Sequence, residues 1–130
     1  MKTITIKQPY ASLIINGYKE YEFRSWKTKY RGDLLIHAGK KIDKEMLNKV
    51  KHLNLEYPTG CIIGMVRLDD CLTVDNLLLD IFNTNLLIYG NKSDYGGYAW
   101  KLTNVKKFDN TIAVNGKLSL WEYNIKTDTL

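Results

Sequence analysis

Cysteine and histidine are scarce in this chain, with two of each among 130 residues. Cys61 and Cys71 fall in one stretch that reads as extended. Ten residues of extended chain span roughly 33 Å, too far for a direct disulfide. Unpaired thiols fit a reducing compartment, so a cytoplasmic protein is expected. His37 and His52 do not fall at zinc spacing with the cysteines, so no metal site is expected from them, and no cofactor is expected either. Long apolar runs are also missing, and no segment is long enough to cross a bilayer. The opening MKTITIKQPY has neither an apolar core nor a cleavage signal, so it does not read as a leader. No repeat or linker interrupts the chain, and residues 1–130 read as a single domain. Acidic side chains are outnumbered, 14 against 19 lysines and arginines, for a net charge of +5. That excess favours an anionic partner, although many ordinary soluble proteins are as basic.

What is present is ordinary globular material, 45% hydrophobic and 25% charged. A chain of this length buries roughly two-thirds of its unfolded surface, enough for one core. Thr3 to Lys7 alternates and predicts a first strand. Pro9 suits the first turn of a helix, with Tyr10, Leu13 and Ile14 on one face and Asn16-Gly17 as its stop. From Lys19 to Trp26 the period changes to two, which puts Glu22 and Arg24 on one side. Those opposite charges form either an exposed ion pair, worth under about 1 kcal/mol, or the wall of a pocket in which Glu22 orients Arg24 or Lys19. Trp26 to Gly32 interleaves basic and aromatic residues, as phosphate contacts with base stacking require and as an ordinary exposed turn also does.

Asp33 to Ala38 predicts a near-continuous apolar strand, on which His37 reads as a structural histidine. Asp43 is a suitable N-cap for a second helix whose apolar face is Met46, Leu47, Val50 and Leu53, with Ile42 and Leu47 at staple spacing. Cys61 to Val74 is the longest strand candidate, and Gly64 in it marks a bulge or a close approach. Ile62, Gly64, Val66, Leu68 and Asp70 share parity, so Asp70 either continues the inward face or caps a turn after a bulge. Asp75 is a candidate cap for a helix containing Leu77, Leu78, Ile81 and Phe82, which Leu86 to Tyr89 either continue or follow as a strand. Residues 90–97 read as a loop, either a lid or plain surface. Tyr98 to Phe108 predicts a strand, and Asn115-Gly116 predicts a two-residue hairpin between Ile112–Val114 and Lys117–Tyr123.

The segments QPYASLI, GYKEYEFR and RGDLLIHAGK, between Gln8 and Lys40, resemble the opening of an ASCH domain (activating-signal-cointegrator homology), whose fold is PUA-like. GGYAWKLTNVKKF and NGKLSLWEY resemble that family's closing strands. The resemblance implies an α+β fold: a small PUA-like mixed β-barrel of about six strands with two or three helices. It also implies a cleft between the sheet and the first helix, faced by Lys19, Glu22, Arg24, Asp70 and Tyr98.

RNA or a modified nucleotide is the expected partner. Arg24 or Lys19 would meet a phosphate or base carbonyl, and Glu22 or Asp70 an exocyclic amine. Trp26, Tyr98 or Trp100 would stack, and Lys27, Lys29 and Arg31 would contact phosphates. A ribonuclease would use Glu22, Lys19 and Tyr98 as acid and base. An amidohydrolase of the kind related proteins resemble needs a lysine, a hydroxyl three residues later and a carboxylate. Lys19 and Asp70 fit that pattern, but Glu22 stands where the hydroxyl is expected, and Ser25 and Thr28 are differently spaced. A protein-interaction module using Leu77 to Tyr89 belongs to a third class.

Overall fold

The alternating stretch Lys2–Gln8 forms strand β1, and Tyr10–Ile15 forms the short helix α1 directly behind Pro9. The computed structural model describes residues 1–75, 86–89 and 96–130. Tyr21–Arg24 is β2 and Gly32–Ile42 is β3. Lys44–Val50 is α2, capped by the Asp43 carboxylate, which accepts from the Met46 N–H at 3.0 Å. Met46 and Val50 are buried as the helical spacing requires, whereas Ile42 is exposed and staples nothing. Cys61–Thr73 is β4, Leu86–Tyr89 is a single helical turn, α3, Tyr98–Ala113 is β5 and Leu120–Glu122 is β6.

The six strands form one mixed sheet in the order β2-β5-β4-β3-β1-β6. β1 and β3 run parallel, and the remaining neighbours are antiparallel. α1 packs on the sheet with Ala11, Leu13, Ile14 and Ile15 buried. Ala11, Ile14 and Ile15 pack with Ile4, Ile6, Leu34, Ile36, Val66 and Leu68 in the main core, and Leu13 packs with Met46 and Val50 of α2 in a second cluster.

Two expectations are corrected. The first is the closed barrel. Among the described residues no ladder joins β2 to β6, so the sheet is open. These end strands are short, four and three residues. A side chain crosses the gap instead: Arg24 Nη2 on β2 donates to the Thr5 carbonyl of β1 at 2.9 Å.

The second is the Asn115-Gly116 hairpin. β6 pairs with β1, not with β5, so residues 114–119 cross from one part of the sheet to another. Gly116 is needed there for closeness. A Cβ on it would stand 2.7 Å from Thr5 Oγ1 and 2.9 Å from His37 Cε1. His37 is buried, and its Nε2 lies 2.6 Å from the Val114 carbonyl, which holds this crossing segment against β3.

Candidate functional site

Gln8 begins the site. Its buried amide accepts from the Ser12 N–H at 2.9 Å and donates to Ser12 Oγ and the Pro58 carbonyl, each at 2.8 Å. These bonds tie the first turn of α1 to β1 and to the segment before β4. The helix then stops at Gly17, whose φ of +82° is cheap only for glycine. The N–H groups of Tyr18 and Lys19 turn back onto the Leu13 carbonyl at 2.9 and 3.1 Å. That turn delivers Lys19 inward, and it is only 2% exposed.

Lys19 Nζ lies 3.1 Å from Glu22 Oε1 and donates to the Tyr21 carbonyl. Arg24 Nη2 lies 3.0 Å from Glu22 Oε2. One carboxylate therefore serves two cations, one through each oxygen. The rings of Tyr10, Phe23 and Tyr89 surround the ammonium, with centroids 5.6, 5.1 and 5.7 Å away. Tyr89 Oη accepts from the Glu20 N–H at 3.1 Å, and burial pushes its phenol up to about 12.

The excess of positive charge in this buried group shows in both partners. Burial lowers the Lys19 ammonium below the ordinary lysine value; Glu22 pulls it up and Arg24 pushes it down again. Burial would raise the Glu22 carboxyl, but Lys19 and Arg24 outweigh it, through charge and hydrogen bonds, and hold it low.

The gap between β2 and β1 opens as a cleft of about 750 Å³. Among the described residues its cations are Lys7, Lys19, Arg24, Lys40, Lys41 and Lys117, and its one carboxylate is Glu22. Tyr10, Phe23 and Tyr89 wall the closed end; Gly60 and residues 115–119 wall the open one. Arg24 has two further donors here: Nη1 and the buried Nε make no hydrogen bond among the described residues. Glu22 has both oxygens engaged by cations, so it orients Lys19 and Arg24 and is poorly placed to take up a proton.

The structure brings Lys19, Glu22 and Arg24 together and leaves the other predicted residues outside the cleft lining. The register of β4 shifts between Leu68 and Asp70, and this bulge breaks the inward parity. Asp70 is half exposed; its Oδ1 accepts from its neighbour Cys71 N–H at 2.8 Å and lies 3.5 Å from Arg31 Nη2. Trp100 is 0% exposed, with Trp26 edge-on to it at 4.7 Å, so Trp100 offers no free face for a base. Tyr98 is half-buried against the same core. Lys27, Lys29 and Arg31 are exposed and lie outside the cleft lining. Ser25 is exposed, and the buried Thr28 accepts from the Tyr30 N–H at 3.1 Å, so neither supplies the missing hydroxyl.

The expected helix over 77–82 and most of the 90–97 loop lie outside the described residues. Leu86–Tyr89 are helical, and Ile88 and Tyr89 are buried, which counts against an exposed apolar contact surface at that end. Sequence reasoning missed Lys7, Lys40, Lys41, Lys117 and the aromatic wall. The available signal was glycine beside lysine, in Gly39-Lys40-Lys41 and Gly116-Lys117, where close backbone approach puts a cation at the cleft edge.

Among known proteins, the ASCH domain profile matches residues 4–112. Activating signal cointegrator 1 of Homo sapiens is 37% identical over 84 residues, and that of Mus musculus 35% over 82. Each alignment covers 54% of this chain, and only 14% of the relative, so the chain spans a small part of the curated proteins it matches. The solved ASCH structure from Zymomonas mobilis superposes with a TM-score of 0.62 at 15% identity, covering 98% of this chain and 89% of that one. A single-substitution mutant of it gives 0.61 at 18%, covering 87% and 73%. At such identity the likeness is one of fold.

Proposed function

The chain belongs to the ASCH family, and from that premise we propose that it is a nucleic-acid-associated module that takes RNA or a modified nucleotide into this cleft. The observation that carries the reading is the Lys19–Glu22–Arg24 group, with Lys19 and Glu22 buried, at the closed end of a cleft whose other charges are all positive among the described residues. Arg24 Nη2 is held by both the Glu22 carboxylate and the Thr5 carbonyl, and that hold directs the unbonded Nη1, a donor suited to a base carbonyl or a phosphate oxygen. Tyr10, Phe23 and Tyr89 supply the apolar wall that a base requires.

Binding is favoured over hydrolysis because Glu22, the nearest carboxylate, is held ionised and doubly hydrogen-bonded. A general base needs a proton affinity closer to the working pH.

Filter binding of single-stranded RNA and of a panel of modified nucleosides tests this reading. Arg24→Ala is expected to lower affinity about tenfold or more, in line with the loss of a charged hydrogen bond. Arg24→Lys is expected to restore charge without restoring full affinity. Wild-type protein that binds no member of either set, or Arg24→Ala that binds like wild type, overturns it. Turnover of any nucleoside, or cleavage of RNA abolished by Lys19→Ala, would instead favour an enzyme.

A further inference from the structure

The two ends of the cleft differ in a way that bears on the size of the ligand. At the open end Lys40, Lys41 and Lys117 are exposed, and none pairs with a carboxylate among the described residues. Two of them are held in place. The Lys40 stem lies along Gly60, where a Cβ would meet its Cε at 3.7 Å. Lys117 Nζ stands 5.9 Å from the centre of the Trp121 ring. Three unneutralised cations gathered at one mouth repel one another, and a polyanion relieves that repulsion where a single nucleobase does not.

Beside them is an apolar side chain with no apolar cover. Leu118 is 94% exposed and lines the same mouth. Ser119 follows it at a φ of +62°, an uncommon conformation for a residue with a side chain. An exposed leucine beside exposed lysines suits a single strand, whose phosphates take the cations and whose bases offer apolar faces.

We infer that the cleft takes a segment of single-stranded nucleic acid and not a lone nucleotide. One base occupies the closed end, the neighbouring phosphates lie on Lys40, Lys41 and Lys117, and the next base rests on Leu118. This rests on the nucleic-acid reading above and adds to it a phosphate tract and a second base position. Lys117 and Leu118 are exposed on residues 115–119, which line the mouth, so the strand leaves over that segment.

The test is fluorescence anisotropy of a labelled six-nucleotide RNA, with a mononucleotide as competitor, titrated between about 50 and about 200 mM salt. Each phosphate neutralised on a single strand contributes about 0.7 to the slope of log affinity against log salt. The triple variant Lys40→Ala/Lys41→Ala/Lys117→Ala is expected to lose about 2 from that slope and at least tenfold in affinity at the lower salt. Leu118→Ala is expected to lose severalfold in affinity with the slope kept, and Leu118→Phe to recover it. All four side chains are exposed, so melting curves should match wild type. A triple variant with the wild-type slope, or a mononucleotide that binds as tightly as the six-mer, overturns the inference. If Arg24→Ala still abolishes binding in that case, the closed-end reading stands and only the extended strand is wrong. Wild-type protein that binds no RNA at all overturns both.

Discussion

The closed and open ends of the cleft are both cationic, yet their charges do different work. At the closed end buried Lys19, ringed by aromatics, and part-buried Arg24 share one carboxylate. At the open end three lysines stand in solvent, and none pairs with a carboxylate among the described residues. Buried charges of the first kind fix geometry and are screened little by salt; exposed charges of the second kind act at a distance and are screened strongly. On the proposed reading, affinity and specificity would fall to different cations, a distinction that net charge alone conceals.

The sharpest way to break this contrast is Glu22→Ala. It leaves buried Lys19 and part-buried Arg24 without their shared anion, and removal of one partner from a buried pair typically costs about 3–5 kcal/mol. Urea denaturation should show a loss of that order. A change within about 0.5 kcal/mol would mean that the closed end is as solvated as the open one, since surface substitutions usually fall within that range.

Acid pH acts on the same group with a smaller effect. Glu22 titrates below the ordinary glutamate value of 4.5 in the folded protein, so the unfolded chain takes up the proton first. The stability that ionised Glu22 contributes is complete above about 4.5 and is lost as pH falls through the lowered folded value. Unfolding free energies measured from neutral pH downward should fall in wild type more steeply than in Glu22→Gln. Equal slopes would remove Glu22 from the account. Lys19, also lowered, works with the same sign in a separate window: stability rises as pH climbs from its lowered folded value towards 10.5.

The smallest expected effect lies outside the cleft. Lys27, Lys29 and Arg31 are exposed, and the Arg31–Asp70 contact at 3.5 Å is a surface pair worth under about 1 kcal/mol. Lys27→Ala/Lys29→Ala/Arg31→Ala should flatten the salt dependence of RNA binding by less than half as much as the cleft triple variant. A larger effect would move the phosphate path from the open end to this loop.

The sequence pattern shows why these two basic regions are easily confused. The 26–31 loop carries the interleaved basic and aromatic composition of a nucleic-acid contact, but Trp26 packs edge-on to buried Trp100. Lys40, Lys41 and Lys117 are far apart in sequence, and they meet only because β1 lies between β3 and β6. Local patterns placed Glu22 and Arg24 on one side of β2, because the Gly17 stop and the four-residue strand are local, but only the family resemblance joined Lys19 to them in a cleft. They could not reach Asp70, where one bulge reverses the parity of a long strand. Nor could they show that Gly116 is a point of close contact with Thr5 and His37 and not a hairpin turn, since those neighbours come from other strands. The first four strands and α2 with its Asp43 cap were readable from periodicity and capping, whereas the α+β class came from the family resemblance. Closure of the sheet was not readable, because it depends on how far two short end strands extend.

A crystal structure of the protein with a short single-stranded RNA would test the central claim most directly. The account predicts one base within hydrogen-bonding distance of Arg24 at the closed end, and the adjoining phosphates within reach of Lys40, Lys41 and Lys117. RNA lying instead along residues 27–31, with the cleft unfilled, would contradict it.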